Sequence, residues 1–176
     1  MKKNTTKVIK EANKYLVMQC IQAFEPVTLE KIAEKTAEAR KTEEAKIHGK
    51  DFIIVSADTV VFLDGILGKP EDEKDAFRML REMKGRSHCV ATGVSIIQPS
   101  KRRKHVFCEM TEVVFKEYGD QEILDYIATG EPMDKAGAYA IQGGWGPHIE
   151  RYIGDYDNIV GFPWSRFEME YRLRFE

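Results

Sequence analysis

Asp51-Phe52-Ile53-Ile54-Val55-Ser56-Ala57-Asp58-Thr59 carries an unbroken apolar, β-branched run straight into a carboxylate and a hydroxyl. Such a run predicts a strand over 51–57 buried on both faces, the kind found in sheets with helices laid against them. Ser56-Ala57-Asp58-Thr59 then falls where the strand runs out, the usual place for ligand groups on α/β sheets. Read alone, Asp58 serves equally well as the cap of a turn.

Outward from this strand, Val60–Leu63, Asp64-Gly65 and Ile66-Leu67 read as a tight hairpin, because Asp-Gly readily takes the positive φ angles of a type I′ turn. Asp72 caps a helix through Lys84, with Ala76, Met79, Leu80 and Met83 on its inner face and Gly85 at its exit. Two long strands follow, near 88–98 and 105–116, joined by the basic turn Pro99–Lys104. Residues 120–129 form another helix stopped by Gly130, ahead of a glycine-rich loop over 130–147. A short strand near 148–153 and a helix after Pro163 complete the chain. Upstream, Val8, Ile9, Ala12, Tyr15, Leu16, Cys20 and Ala23 recur at helical spacing over 7–24. Pro26 breaks that pattern, and Thr28 caps a second, strongly charged helix to about Ile47. Strands and helices do not alternate evenly, which favours α/β architecture with a mixed sheet flanked by helices over a doubly wound one.

Composition narrows the function classes. A chain of 176 residues, 43% hydrophobic and 10% aromatic, has the length of one domain, 1–176, and the content of a globular one. With 27 basic against 29 acidic residues it lacks the basic surplus of a general nucleic-acid binder. The cluster Lys101-Arg102-Arg103-Lys104 reads as a solvated hairpin tip, with nucleic-acid contact a remote alternative. Apolar runs such as Phe52–Ala57 and Val90–Ile97 are too short to cross a bilayer, and no secretory h-region follows the basic start. Cys20, Cys89 and Cys108 are widely spaced with no CxxC, as for free thiols in a reducing compartment. The expectation is a cytoplasmic protein without membrane or nucleic-acid partners.

The candidate chemistry lies in three places. Asp58-Thr59 offers a carboxylate and a hydroxyl. Lys69, fixed between Gly68 and Pro70, can meet a phosphate as a point charge. Gly130-Glu131-Pro132-Met133-Asp134-Lys135-Ala136-Gly137-Ala138-Tyr139-Ala140-Ile141-Gln142-Gly143-Gly144 is a long loop of the kind that is often functional. Its glycines let the backbone approach a ligand, and Gln142 supplies an amide able to read a base edge. The loop lacks P-loop spacing and the chain lacks GxGxxG, HExxH and GxSxG, so a P-loop, a dinucleotide fold, a zinc site and a serine elbow are set aside. Carboxylates, lysines and a glycine-rich loop suit Mg2+-assisted hydrolysis of a phosphate anhydride.

Ser56-Ala57-Asp58-Thr59-Val60-Val61, Leu63-Asp64-Gly65 and Leu67-Gly68-Lys69-Pro70 closely resemble the Maf family. So do Asp75-Ala76, Met79-Leu80, Gly85, His88, Val90 and Thr92-Gly93-Val94. The match continues through Thr129-Gly130-Glu131-Pro132, Asp134-Lys135-Ala136-Gly137-Ala138-Tyr139 and Ile141-Gln142-Gly143, then Gly154-Asp155-Tyr156 and Asn158-Ile159-Val160-Gly161-Phe162-Pro163. The motifs run in order over about 28–165. The resemblance implies a nucleoside triphosphate pyrophosphatase with a fold similar to that of inosine triphosphatase, commonly a homodimer. Asp58-Thr59 looks like the branch acting on dTTP, UTP and modified pyrimidine nucleotides. By this matching Asp58 is the catalytic carboxylate, as general base or as ligand of Mg2+, Thr59 and Gln142 are specificity positions, and Lys69, with Lys135, contacts phosphate.

Two departures accompany the resemblance. Family members begin with a strand and a Ser-Pro-Arg-Arg turn that contributes substrate-binding arginines. Residues 1–27 form a divergent segment that reads as helical, without that motif, and the first arginine is Arg40. The family's Leu-Ala-x-x-Lys-Ala pattern aligns with Ile32-Ala33-Glu34-Lys35-Thr36-Ala37, putting Thr36 where a lysine usually sits. These departures imply weak hydrolysis with a raised KM. The alternative function is a catalytically weak or inactive homologue that binds a nucleotide or a partner.

Overall fold

The computed structural model describes residues 53–176, so the helices expected over 7–24 and 28–47, Cys20, Thr36 and the divergent segment lie outside the described residues. The apolar run becomes β1 (Ile54–Leu63). It extends past the expected end at Ala57, so the Ser56–Thr59 motif sits inside the strand and not beyond it. The β-branched residues Thr59, Val60 and Val61 continue the extended backbone into a ladder with the next strand. Burial on both faces holds only for the second half: Val60 and Val61 are buried, whereas Val55 is 40% exposed.

β2 (Gly65–Leu67) pairs antiparallel with β1, Val61 facing Leu67 and Leu63 facing Gly65. The turn therefore spends one residue, Asp64 at φ +54°, and Gly65 is already in the ladder. That replaces the expected two-residue type I′ turn, and aspartate tolerates the left-handed region well enough to allow it.

α1 (Glu73–Met83) forms as its periodicity dictates. Asp72 accepts from the Asp75 amide at 2.8 Å, and Ala76, Met79, Leu80 and Met83 are buried. β3 (Ser87–Gln98) and β4 (Arg103–Phe115) follow, joined by a 3-10 turn over Pro99–Lys101 whose basic residues are exposed. α2 (Asp120–Ala128) leads into the glycine-rich loop, which is ordered by 3-10 turns at Glu131–Asp134, Ala136–Ala138 and Gly146–His148. β5 (Ile149–Ile153) pairs antiparallel with β4, Val113 facing Tyr152. A short helix, α3 (Tyr156–Val160), precedes α4 (Trp164–Phe175). The sheet order is β2-β1-β3-β4-β5, with helices flanking it, as expected of the α/β class.

The described residues fall into two compact units. One comprises 59–92 and 109–165, and its core joins the α1 inner face to Val61, Val113, Phe115, Ile123 and Trp145. The other includes 53–58, 93–108 and 166–176. There Glu170 of α4 is buried but accepts from Arg166 Nε and Arg174 Nε, each at 2.9 Å. Desolvation alone would raise the Glu170 carboxyl; the hydrogen bonds from Arg174 and Arg166 win and hold it below its ordinary value.

Candidate functional site

Thr59 sits on β1 with its hydroxyl already engaged. Its Oγ1 lies 2.8 Å from Thr92 Oγ1 on β3 and donates to the Gly161 carbonyl at 3.2 Å. Asn158 of α3, fully buried, donates from Nδ2 to the Val90 carbonyl and to Thr111 Oγ1, both at 3.0 Å. Thr111 in turn donates to the Asp155 carbonyl at 3.0 Å and accepts from the Asp155 amide at 3.1 Å. Thr59, Thr92, Thr111 and Asn158 thus fasten the 155–161 segment to three neighbouring strands. Thr92 and Asn158 stood in the matched motifs without a role, and Thr111 stood in none. Only their spatial convergence, across separations of 33 to 102 residues in sequence, reveals the ladder. Asp58, the preceding residue on β1, is half-buried.

Lys69 and Lys135 are brought together by the backbone. The Gly137 amide donates to the Gly68 carbonyl at 2.9 Å, tying the loop to the residue before Lys69. Gly137 has φ +69°, and a Cβ there would lie 2.9 Å from the Val61 side chain, so this approach requires glycine. Lys135 Nζ donates to Asp134 Oδ1 at 2.6 Å. That hydrogen bond, with the added charges of Lys135 and Lys69, holds the exposed Asp134 carboxyl below its ordinary range. Lys135 therefore pairs directly with the Asp134 carboxylate, and the charge of Lys69 acts on the same group.

The rest of the loop is anchored from below. Tyr139 is buried, its hydroxyl 2.7 Å from Nε2 of the equally buried His88 on β3. Burial pushes the His88 imidazole down to about 4. Gln142 is exposed on the turn that follows. A cleft of about 420 Å3 lies elsewhere in the same unit, lined by Phe62, Asp64, Arg86, His88 and Glu112 among others, and none of the candidate residues borders it. Neither Cys89 nor Cys108 is in a disulfide, and burial raises the Cys89 thiol, away from activation. Among the described residues no three His, Cys, Asp or Glu side chains group to hold a metal ion.

The described residues form an α/β protein in which a glycine-framed loop bearing Lys135 is tied to the residue before Lys69. The chain belongs to the Maf-like protein family, whose model matches residues 7–172, a span that reaches back before the first recognisable motif. It is 50% identical over 120 residues to a protein of Clostridium beijerinckii named dTTP/UTP pyrophosphatase, covering 68% of this chain and 64% of that one. A Geobacillus protein of the same name is 48% identical over 128 residues, 72% of this chain and 68% of its own length. One from Thermococcus kodakarensis is 52% identical over 116 residues, 65% of this chain and 61% of its own. The matched stretch spans about two-thirds of the length of these relatives.

Proposed function

We propose that this chain is a nucleoside triphosphate pyrophosphatase that hydrolyses dTTP and UTP, with modified pyrimidine forms, to the monophosphate and pyrophosphate and so keeps them out of nucleic acid. The observation that carries this reading is the hydrogen bond from the Gly137 amide to the Gly68 carbonyl, which ties the glycine-framed loop bearing Lys135 to the residue before Lys69. Such a loop recognises phosphate by charge and by close backbone approach. The relatives named dTTP/UTP pyrophosphatase suggest the substrate class.

In this mechanism Asp58 orients the attacking water, taking its proton or holding a cation beside it. The water oxygen bonds to the α-phosphorus, the α–β bridging P–O bond breaks, and its electron pair leaves on pyrophosphate. Lys69 and Lys135 meet the charge that develops there. A divalent cation such as Mg2+ would supply charge neutralisation of the triphosphate. Asp58 would hold it, a single carboxylate being compatible with Mg2+, which binds through one or two carboxylates plus substrate phosphates and needs no protein cage. Gln142 reads the pyrimidine edge. Thr59, whose hydroxyl is bonded to Gly161 and Thr92, acts on selectivity by fixing the 155–161 segment.

We infer a homodimer acting on free nucleotides in the cytoplasm, without nucleic-acid or membrane partners. No helix among the described residues is long and apolar enough to cross a membrane. A nucleotide panel with Mg2+, scored for pyrophosphate release, tests the reading. Preferential release from dTTP and UTP is expected; a clear preference for ATP or GTP overturns it. The absence of arginine from residues 1–27 favours a second reading, nucleotide binding with little turnover. Tight dTTP binding without release of pyrophosphate distinguishes it.

A further inference from the structure

Glu131 takes no part in the steps above, yet it holds the loop that carries Gln142. Its Oε1 and Oε2 accept from the Gly144 amide at 3.2 and 3.1 Å, and Oε1 also accepts from the Tyr126 hydroxyl at 3.0 Å. Tyr126 is itself fixed, stacked on the buried Trp145 with ring centroids 4.8 Å apart. The reach of Glu131 depends on a bare backbone at Gly143, because a Cβ there would overlap its Oε1. Gln142 directly precedes this pair of glycines. Glycines sample more backbone states than other residues, so an unanchored Gly143-Gly144 would let the Gln142 amide wander. A charge-assisted bond from a carboxylate seated on a core tyrosine removes that freedom.

We propose that Glu131 is a positioning residue for base selectivity: its carboxylate fixes the Gly143-Gly144 backbone so that the Gln142 amide is presented to the edge of a pyrimidine triphosphate. The proposal rests on the reading of Gln142 given above. A thymine or uracil edge offers a carbonyl and an imide N–H to that amide, whereas cytosine offers an amine in place of the carbonyl. Selectivity for dTTP over dCTP therefore reports the placement of Gln142.

The test uses the full chain with the substitutions Glu131→Ala, Glu131→Gln, Gly143→Ala, Gln142→Ala and Glu131→Ala with Gln142→Ala. Gly143→Ala keeps Glu131 and moves only the flexible end of its side chain, so it undoes the anchor with least risk to folding. Two quantities are measured, the dTTP/dCTP ratio of kcat/KM and the hydrogen exchange of the Gly144 amide. Loss of a bond to a charged group predicts exchange at least about tenfold faster in Glu131→Ala and Gly143→Ala, with a smaller change in Glu131→Gln. Selectivity falls by about tenfold in the same two variants, and the double variant is no less selective than Gln142→Ala alone. Unchanged Gly144 exchange in Glu131→Ala overturns the anchor, whatever the kinetics. Faster exchange with wild-type selectivity, while Gln142→Ala loses selectivity, leaves Glu131 purely structural and overturns its role. Wild-type selectivity in Gln142→Ala overturns the reading of Gln142 itself, and that failure is seen in its own variant.

Discussion

Asp134 accepts from Lys135 and feels the charge of Lys69, so a triphosphate would compete with it for both. An exposed ion pair of this kind contributes little stability, so its effect is felt in ligand competition. Asp134→Asn should release Lys135, remove a negative charge acting on Lys69 and lower the KM for dTTP severalfold at low salt, with the gain fading as salt screens the exposed charges. A KM that rises instead, at any salt concentration, would show that Asp134 assists binding. Lys69→Ala should raise KM by about tenfold, the loss of one charge-assisted phosphate contact. At Asp58 the expected change lies in turnover. Asp58→Asn should keep the fold and lower kcat by about a hundredfold or more. A folded variant turning over at the wild-type rate would remove Asp58 from the chemistry.

Elements differ in how far their residues announce them. α1 was legible almost residue by residue, because its Asp72 cap and the inner face Ala76, Met79, Leu80 and Met83 are set by neighbours three and four positions away. The end of β1 was not, since the strand runs on through Asp58-Thr59 to reach its pairing with β2 at Val61–Leu63. α3 was missed altogether. Five residues cannot hold a helix alone, and Asn158 is held by Val90 and Thr111 from two strands. The candidate site divides in the same way: Lys69 and Lys135 could be picked out by type and loop context, whereas the bonds that occupy Thr59 and the reach of Glu131 exist only in the folded chain. Thr59→Val tests the ladder as an element. It keeps the shape but leaves the Gly161 carbonyl short of a partner and the Thr92 hydroxyl with only the Asn158 carbonyl, 3.5 Å away, at a cost of about 1–3 kcal/mol. Thr59→Val with Thr92→Val should cost less than the sum of the two single changes, because both remove the same bond. Full additivity in denaturant melts would mean the hydroxyls act independently.

At the scale of the whole molecule, the buried His88–Tyr139 pair links global stability to pH. His88 is 4% exposed, packed 4.7 Å from the Phe115 ring, and its Nε2 bonds the Tyr139 hydroxyl at the root of the glycine-rich loop. Burial lowers its pKa from 6.5 to about 4 in the folded state. Between those values the unfolded chain binds a proton that the folded chain refuses, so stability rises with pH across this window. The contribution is present in full above about pH 6.5 and lost as pH falls through about 4, in total on the order of 3 kcal/mol. His88→Gln keeps a side chain able to bond Tyr139 but cannot titrate. Urea unfolding of the two proteins from pH 7 to pH 4 should give a wild-type free energy that falls more steeply, by up to the amount above. Carboxylates and the remaining histidines titrate in both proteins and cancel in the difference. Parallel pH profiles would mean that His88 takes up its proton in the folded chain as readily as in the unfolded one, and that the anchoring of the loop through Tyr139 is indifferent to acid.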